Sequence, residues 1–145
     1  MNKEKPNISN FFLDLPLGTE FIVEIKSASM NPLFLVGDSV LLNKIEFNRV
    51  KIGDIICFYQ DSEKSLIVHR VVDKQYLKNK QSFKLITKGD ASIVMDFNAV
   101  HKNNFVGLVM CKAKKNTKNG VLKKTLFIVT QRIFLKHQLI RNFFY

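Results

Sequence analysis

The chain has no tryptophan, two cysteines, three prolines and six glycines in 145 residues, and its 12 acidic side chains face 23 Lys and Arg. Each shortage excludes something. Cys57 and Cys111 sit inside apolar, strand-like runs without CxxC spacing, so no cysteine metal or redox site is encoded and both read as reduced core residues. The glycines are isolated from one another, which leaves no phosphate-cradling loop. No His, Cys or carboxylate constellation has metal-ligand spacing, and the chain is read as needing neither metal nor cofactor. The longest uninterrupted apolar stretches run four or five residues, such as Leu126 to Val129, against about 20 for a membrane-spanning helix. The polar start Met1-Asn2-Lys3-Glu4-Lys5-Pro6-Asn7 leads into no apolar core of a leader. From these features the expectation is no transmembrane anchor, no signal peptide, and a cytoplasmic or peripheral membrane location.

What is present is ample apolar material. A 46% hydrophobic content with 13 Phe suits one compact domain with a phenylalanine-rich core. Thr19 to Lys26 sets Phe21, Val23 and Ile25 on one face and Glu20, Glu24 and Lys26 among the alternate positions, the period of a half-buried strand. Short runs rich in β-branched and aromatic residues recur at Ser39 to Leu42, Ile55 to Tyr59, Leu66 to Val72, Phe83 to Thr87 and Phe105 to Cys111. Such spacing predicts a mainly β domain, with Gly37-Asp38, Gly53-Asp54 and Gly89-Asp90 as turns. Boundaries follow: an N-terminal extension over 1–18, a β domain over 19–112, and a basic linker with a C-terminal helix over 113–145.

The net charge of +11 has a location. Six lysines fall between Lys112 and Lys124, and the apolar residues Leu122, Leu126, Val129, Ile133, Ile140 and Phe144 beyond them recur at helical spacing. This tail reads as a helix that closes the β domain, as a basic helix lying on anionic lipid, or as an interaction arm. Nucleic acid is not an expected partner.

The candidates for chemistry lie elsewhere: Ser29 in Ser27-Ala28-Ser29-Met30-Asn31-Pro32, His69 in Val68-His69-Arg70-Val71-Val72, and the acids Asp90 and Asp96 in and after Lys88-Gly89-Asp90. Taken singly, Ser29 is a turn or cap residue, His69 a core histidine, Asp90 a turn cap and Asp96 a solvated carboxylate. Together they supply the parts of a serine nucleophile, because a hydroxyl that attacks at neutral pH needs a base, and that base a carboxylate to orient it. An unperturbed imidazole titrates near pH ~6.5, close to working pH. His101 and His137 have no such company.

The order of these blocks resembles the signal peptidase I family, which shares its fold with self-cleaving LexA-type repressors. The resemblance spans roughly Phe21 to Met110. In that family a strand enters Ser-x-Ser-Met-x-Pro, followed by a Gly-Asp turn and a strand, as in Ser27 to Val40 here. A second Gly-Asp and apolar strand match Lys51 to Phe58. Most bacterial members then carry a lysine, whereas endoplasmic-reticulum, archaeal and some Gram-positive members carry His-Arg-Val, as His69-Arg70-Val71 does. The histidine branch continues with Lys-Gly-Asp and an aspartate six residues on, matching Lys88-Gly89-Asp90 and Asp96.

The resemblance implies a signal-peptidase/LexA-like β domain and a serine endopeptidase that cleaves an extended peptide or precursor after small residues. It implies Ser29 as nucleophile, His69 as base, Asp96 as the better orienting acid with Asp90 as the other, Ser27 and the Ser29 N–H at the oxyanion, and Met30 and Pro32 beside the peptide. Two departures stand out: Ala28 where many members have glycine, and the absence of a visible anchor. A catalytically silent peptide-binding module and a LexA-type self-cleaving regulator are the alternatives. The second is opposed by a histidine where that group uses lysine, by the short segment before Phe21, and by the lack of an Ala-Gly cleavage site.

Overall fold

The computed structural model describes residues 8–77 and 82–113. The expected C-terminal helix, most of the basic linker and His137 lie outside those residues. The described elements are a short helix α1 (Ile8–Leu13) and six strands: β1 (Glu20–Glu24), β2 (Ser39–Asn43), β3 (Ile55–Gln60), β4 (Ser65–Tyr76), β5 (Phe83–Lys88) and β6 (Phe105–Ala113). Every strand falls on an expected run, and the mainly β architecture agrees with the fold that the resemblance implies. The helix α1 lies within the stretch read as an N-terminal extension. Among the described residues, no helix is long and apolar enough to cross a membrane.

The strands form one antiparallel sheet in the order β1-β2-β6-β3-β4-β5, which leaves β1 and β5 at its edges. Alternation along β3 shows how the core is divided. Ile55, Cys57 and Tyr59 pack with Val40, Leu42 and Phe34, whereas Ile56 and Phe58 pack with Phe47, Val71 and Leu85. Successive side chains of a strand point to opposite faces, so this central strand is covered on both sides. Each fully buried Ile, Leu or Phe contributes roughly 1.5–3 kcal/mol relative to exposure. Register shifts between Leu41 and Leu42, Cys57 and Phe58, and Val71 and Asp73 add local twist.

Two of the Gly-Asp pairs shape the sheet. Gly37 (φ 88°) and Gly53 (φ 96°) take left-handed conformations that suit glycine. The carboxylate of Asp38 accepts the Leu35 N–H at 2.8 Å, and that of Asp54 accepts the Lys51 N–H at 2.9 Å. Each aspartate thereby closes its own turn, as the short side chains of such residues do. Both cysteines are reduced and buried, and burial pushes the Cys57 thiol up to about 12.

Candidate active site

Ser29 lies in a single 3-10 turn, Ala28–Met30, between β1 and β2. Met30 anchors that turn: its side chain is 1% exposed and belongs to the core. The preceding residue, Ser27, occupies the N-cap position but makes no side-chain cap. Its hydroxyl lies instead 3.1 Å from Ser29 Oγ. Ala28 has no positive φ, so a Cβ is tolerated where many members of the similar family have glycine.

His69 projects from β4, opposite Ile56 of β3, with its ring edge-on to Phe58 at 6.3 Å between centroids. Its Nε2 is 3.0 Å from Ser29 Oγ and its Nδ1 is 2.6 Å from Asp96 Oδ2. A carboxylate can only accept, so Nδ1 carries the proton of the neutral ring and Nε2 is left to accept from the serine. The His69 and Asp96 side chains are 13% and 21% exposed, so the series is shielded yet reachable. Burial pushes the Asp96 carboxyl up, but hydrogen bonds from His69 and Thr87 and the neighbouring imidazole outweigh it. The net result holds Asp96 below the ordinary carboxylate value.

The structure separates the two aspartates. Asp90 is not beside His69: its Oδ1 accepts from Arg70 Nε at 2.8 Å and its Oδ2 from Arg70 Nη2 at 2.6 Å. Both side chains are 2% exposed, and Arg70 also donates to the Gly53 carbonyl at 3.1 Å. His69 and Arg70 are neighbours in a strand and project to opposite faces, which is why adjacent residues take different carboxylates. The arginine pair fixes the turn that carries Gly89 and Ala91. Ala91 donates its N–H to the Ser29 carbonyl at 2.9 Å, and a Cβ on Gly89 would lie 2.7 Å from that oxygen and 3.1 Å from His69 Nε2.

These groups border a groove of about 970 Å³. Its lining comes from β1 and its continuation to Met30, from β4 between Ser65 and His69, and from the loop between Ser92 and Asn98. Met30 borders it; Pro32, expected beside the peptide, is exposed and does not, since it lies beyond the C-terminal end of the 3-10 turn at Met30. Sequence reasoning assigns no role to Thr87, gives Arg70 only as part of the His69-Arg70-Val71 block, and reads Gly89 only as a turn. A buried hydroxyl or guanidinium within a strand must find partners, and that requirement is the signal that marks the first two. Among the described residues no group of His, Cys, Asp or Glu could hold a metal ion.

A hydroxyl, an imidazole and a carboxylate in one hydrogen-bonded series on an antiparallel sheet have the connectivity of a Ser–His–Asp triad. No protein-family model matches the chain. Over about half its length the chain is homologous to signal-peptidase catalytic subunits, in agreement with the resemblance carried by its four blocks. It is 41% identical over 81 residues to the signal peptidase complex catalytic subunit SEC11 of Candida tropicalis, covering 56% of this chain and 47% of the relative. It is 42% identical over 76 residues to SEC11 of Eremothecium gossypii, covering 52% and 44%. With the human subunit SEC11C it shares 36% over 75 residues, covering 52% and 38%. The chain thus spans less than half the length of these curated relatives.

Proposed function

We propose that this chain is a serine endopeptidase of the signal-peptidase type. The observation that carries the reading is the series Ser29 Oγ, His69 Nε2, His69 Nδ1, Asp96 Oδ2, with spacings of 3.0 and 2.6 Å, opening on a groove large enough for a peptide. His69 takes the Ser29 proton as Oγ attacks the scissile carbonyl. Asp96 stabilises the imidazolium and holds its orientation. The C–N bond then breaks, the departing amine takes the proton from His69, and the acyl group remains on Ser29. A water, deprotonated by His69 in turn, releases the acid and restores the serine.

The developing oxyanion needs donors. Ser29 stands in the first turn of a 3-10 helix, where backbone N–H groups lack partners within the helix. Its N–H and the Ser27 hydroxyl are the donors in this reading. The peptide binds extended beside β1, which stands at the end of the sheet and whose Val23 and Glu24, with the following Ile25 and Lys26, border the groove, so that it pairs as an added strand. Cleavage falls after small residues, and the substrate is a leader or signal peptide on a precursor.

The relatives are named as subunits of a complex. In this reading the chain works peripherally on a membrane, with its charge segregated for the purpose. The described residues hold 11 Lys and Arg and 11 Asp and Glu, whereas residues 114–145 hold eight Lys and Arg and no acid. Sedimentation with anionic vesicles, with and without residues 114–145, should show binding that depends on the tail and weakens with salt. The catalytic reading is tested by mass spectrometry of precursor peptides. Peptides cut by the wild type and left whole by Ser29→Ala support it, and equal cutting by both forms contradicts it.

A further inference from the structure

The loop that carries Asp96 has little to hold it in place. Ile93, Val94, Met95 and Phe97 are 96%, 74%, 59% and 101% exposed, so the apolar residues on both sides of the acid are outside the core. Asp96 is nevertheless placed within 2.6 Å of His69 Nδ1. Its attachment is to one residue of β5. Thr87 donates its hydroxyl to Asp96 Oδ2 at 2.6 Å, and its carbonyl accepts the Asp96 N–H at 2.8 Å. Thr87 itself is 0% exposed and lies opposite Val71 in the β4–β5 ladder, two residues from the strand position of His69. It is therefore as rigid as the sheet.

We propose that Thr87 is the positioning residue of the site: its hydroxyl and carbonyl clamp Asp96 to β5, so that a carboxylate on an exposed loop is held at the geometry His69 needs. The inference rests on the catalytic reading above. Thr87 touches no reacting atom. It acts through the oxygen that it shares with His69, since both donate to Oδ2. The same hydroxyl is one of the contacts that keep Asp96 ionised despite its burial. A backbone contact alone would fix the loop but leave the carboxylate free to rotate about its side-chain torsions. The hydroxyl removes that freedom and thereby lowers the entropy cost of each productive alignment.

The experiment compares Thr87→Val, which replaces the hydroxyl by a methyl of similar size, with Thr87→Ser, which keeps the hydroxyl and loses the methyl. Misplacement of a catalytic group by a fraction of an ångström to one ångström costs on the order of 10- to 100-fold in rate. Thr87→Val should lose that much in kcat with KM within about threefold of wild type, while Thr87→Ser should keep most of the rate. A second readout is the Asp96 carboxyl titration followed by carbon NMR in a Ser29→Ala background: its midpoint should rise in Thr87→Val and stay low in Thr87→Ser. This measurement needs no peptide cleavage, so it separates failure of the clamp from failure of the catalytic reading. Wild-type kcat and titration in Thr87→Val overturn the proposal. Should Thr87→Val not fold, a Thr87→Ser variant with its rate reduced 10-fold or more, or with a raised Asp96 midpoint, overturns it equally.

Discussion

Gly89→Ala should damage the site through contact alone. The backbone at Gly89 is not left-handed, so alanine meets no conformational penalty there. Its Cβ, however, would lie 2.7 Å from the Ser29 carbonyl oxygen, 2.9 Å from Ser92 Oγ and 3.1 Å from His69 Nε2. The Ser92 hydroxyl can rotate away. The other two neighbours cannot yield so easily, because the Ser29 carbonyl accepts from the Ala91 N–H at 2.9 Å and His69 is fastened to Asp96. Reaching ordinary contact requires the turn and Ser29 to separate by about 0.7 Å, and the buried Arg70–Asp90 pair resists movement of the turn. The displacement therefore falls largely on the Ser29–His69 spacing of 3.0 Å. A one-ångström error at such a contact costs about 100-fold in rate, so acylation by Gly89→Ala should be slower by roughly 30- to 100-fold. Overpacking should also cost about 1–3 kcal/mol of stability. The assay is the second-order rate of fluorophosphonate acylation, followed by intact mass, beside urea unfolding. A variant that acylates at the wild-type rate would show that the 89–91 turn does not control the position of Ser29.

Asp96→Asn keeps the shape of the residue but favours the wrong histidine tautomer, and should reduce acylation by about 10⁴-fold in a protein that remains folded; a loss under about tenfold contradicts the orienting role. Asp90→Ala strands the buried Arg70 guanidinium and should cost about 3–5 kcal/mol in urea unfolding, whereas Arg70→Met with Asp90→Leu should recover most of it; a cost under about 1 kcal/mol would mean that the pair is effectively solvated. The Asp96 carboxyl titrates lower in the folded than in the unfolded state, so its ionisation stabilises the fold fully above the unfolded value of about pH 3.9 and this contribution fades as pH falls through the folded value. The difference in Tm between wild type and Asp96→Asn should accordingly hold steady above about pH 5 and shrink below about pH 4; a gap that is constant down to pH 2 removes the linkage.

The strands were legible because alternation and β-branched runs are local, and the runs at Ile55 to Tyr59 and Phe105 to Cys111 needed no knowledge of their partners. The sheet order was not legible, since the insertion of β6 between β2 and β3 depends on pairing across about 50 residues of chain. Ser29 and His69 stood out by block and spacing. The choice between Asp90 and Asp96 turned on register: Arg70 pairs with Lys88, which brings Asp90 to the guanidinium, while the chain returns to Thr87 only at Asp96. Thr87 was silent for the same reason. A threonine in a strand pattern reads as a β-former, and only its burial next to a returning loop gives its hydroxyl a task.

The proposed chemistry of this chain depends on Ser29 being a nucleophile activated by His69. Intact-mass analysis after brief exposure to a fluorophosphonate probe addresses that directly. The wild type should gain one adduct, mapped to Ser29, and neither Ser29→Ala nor His69→Ala should gain it at a comparable rate. A folded wild type that stays unmodified, or a Ser29→Ala variant labelled as fast as wild type, would contradict the account.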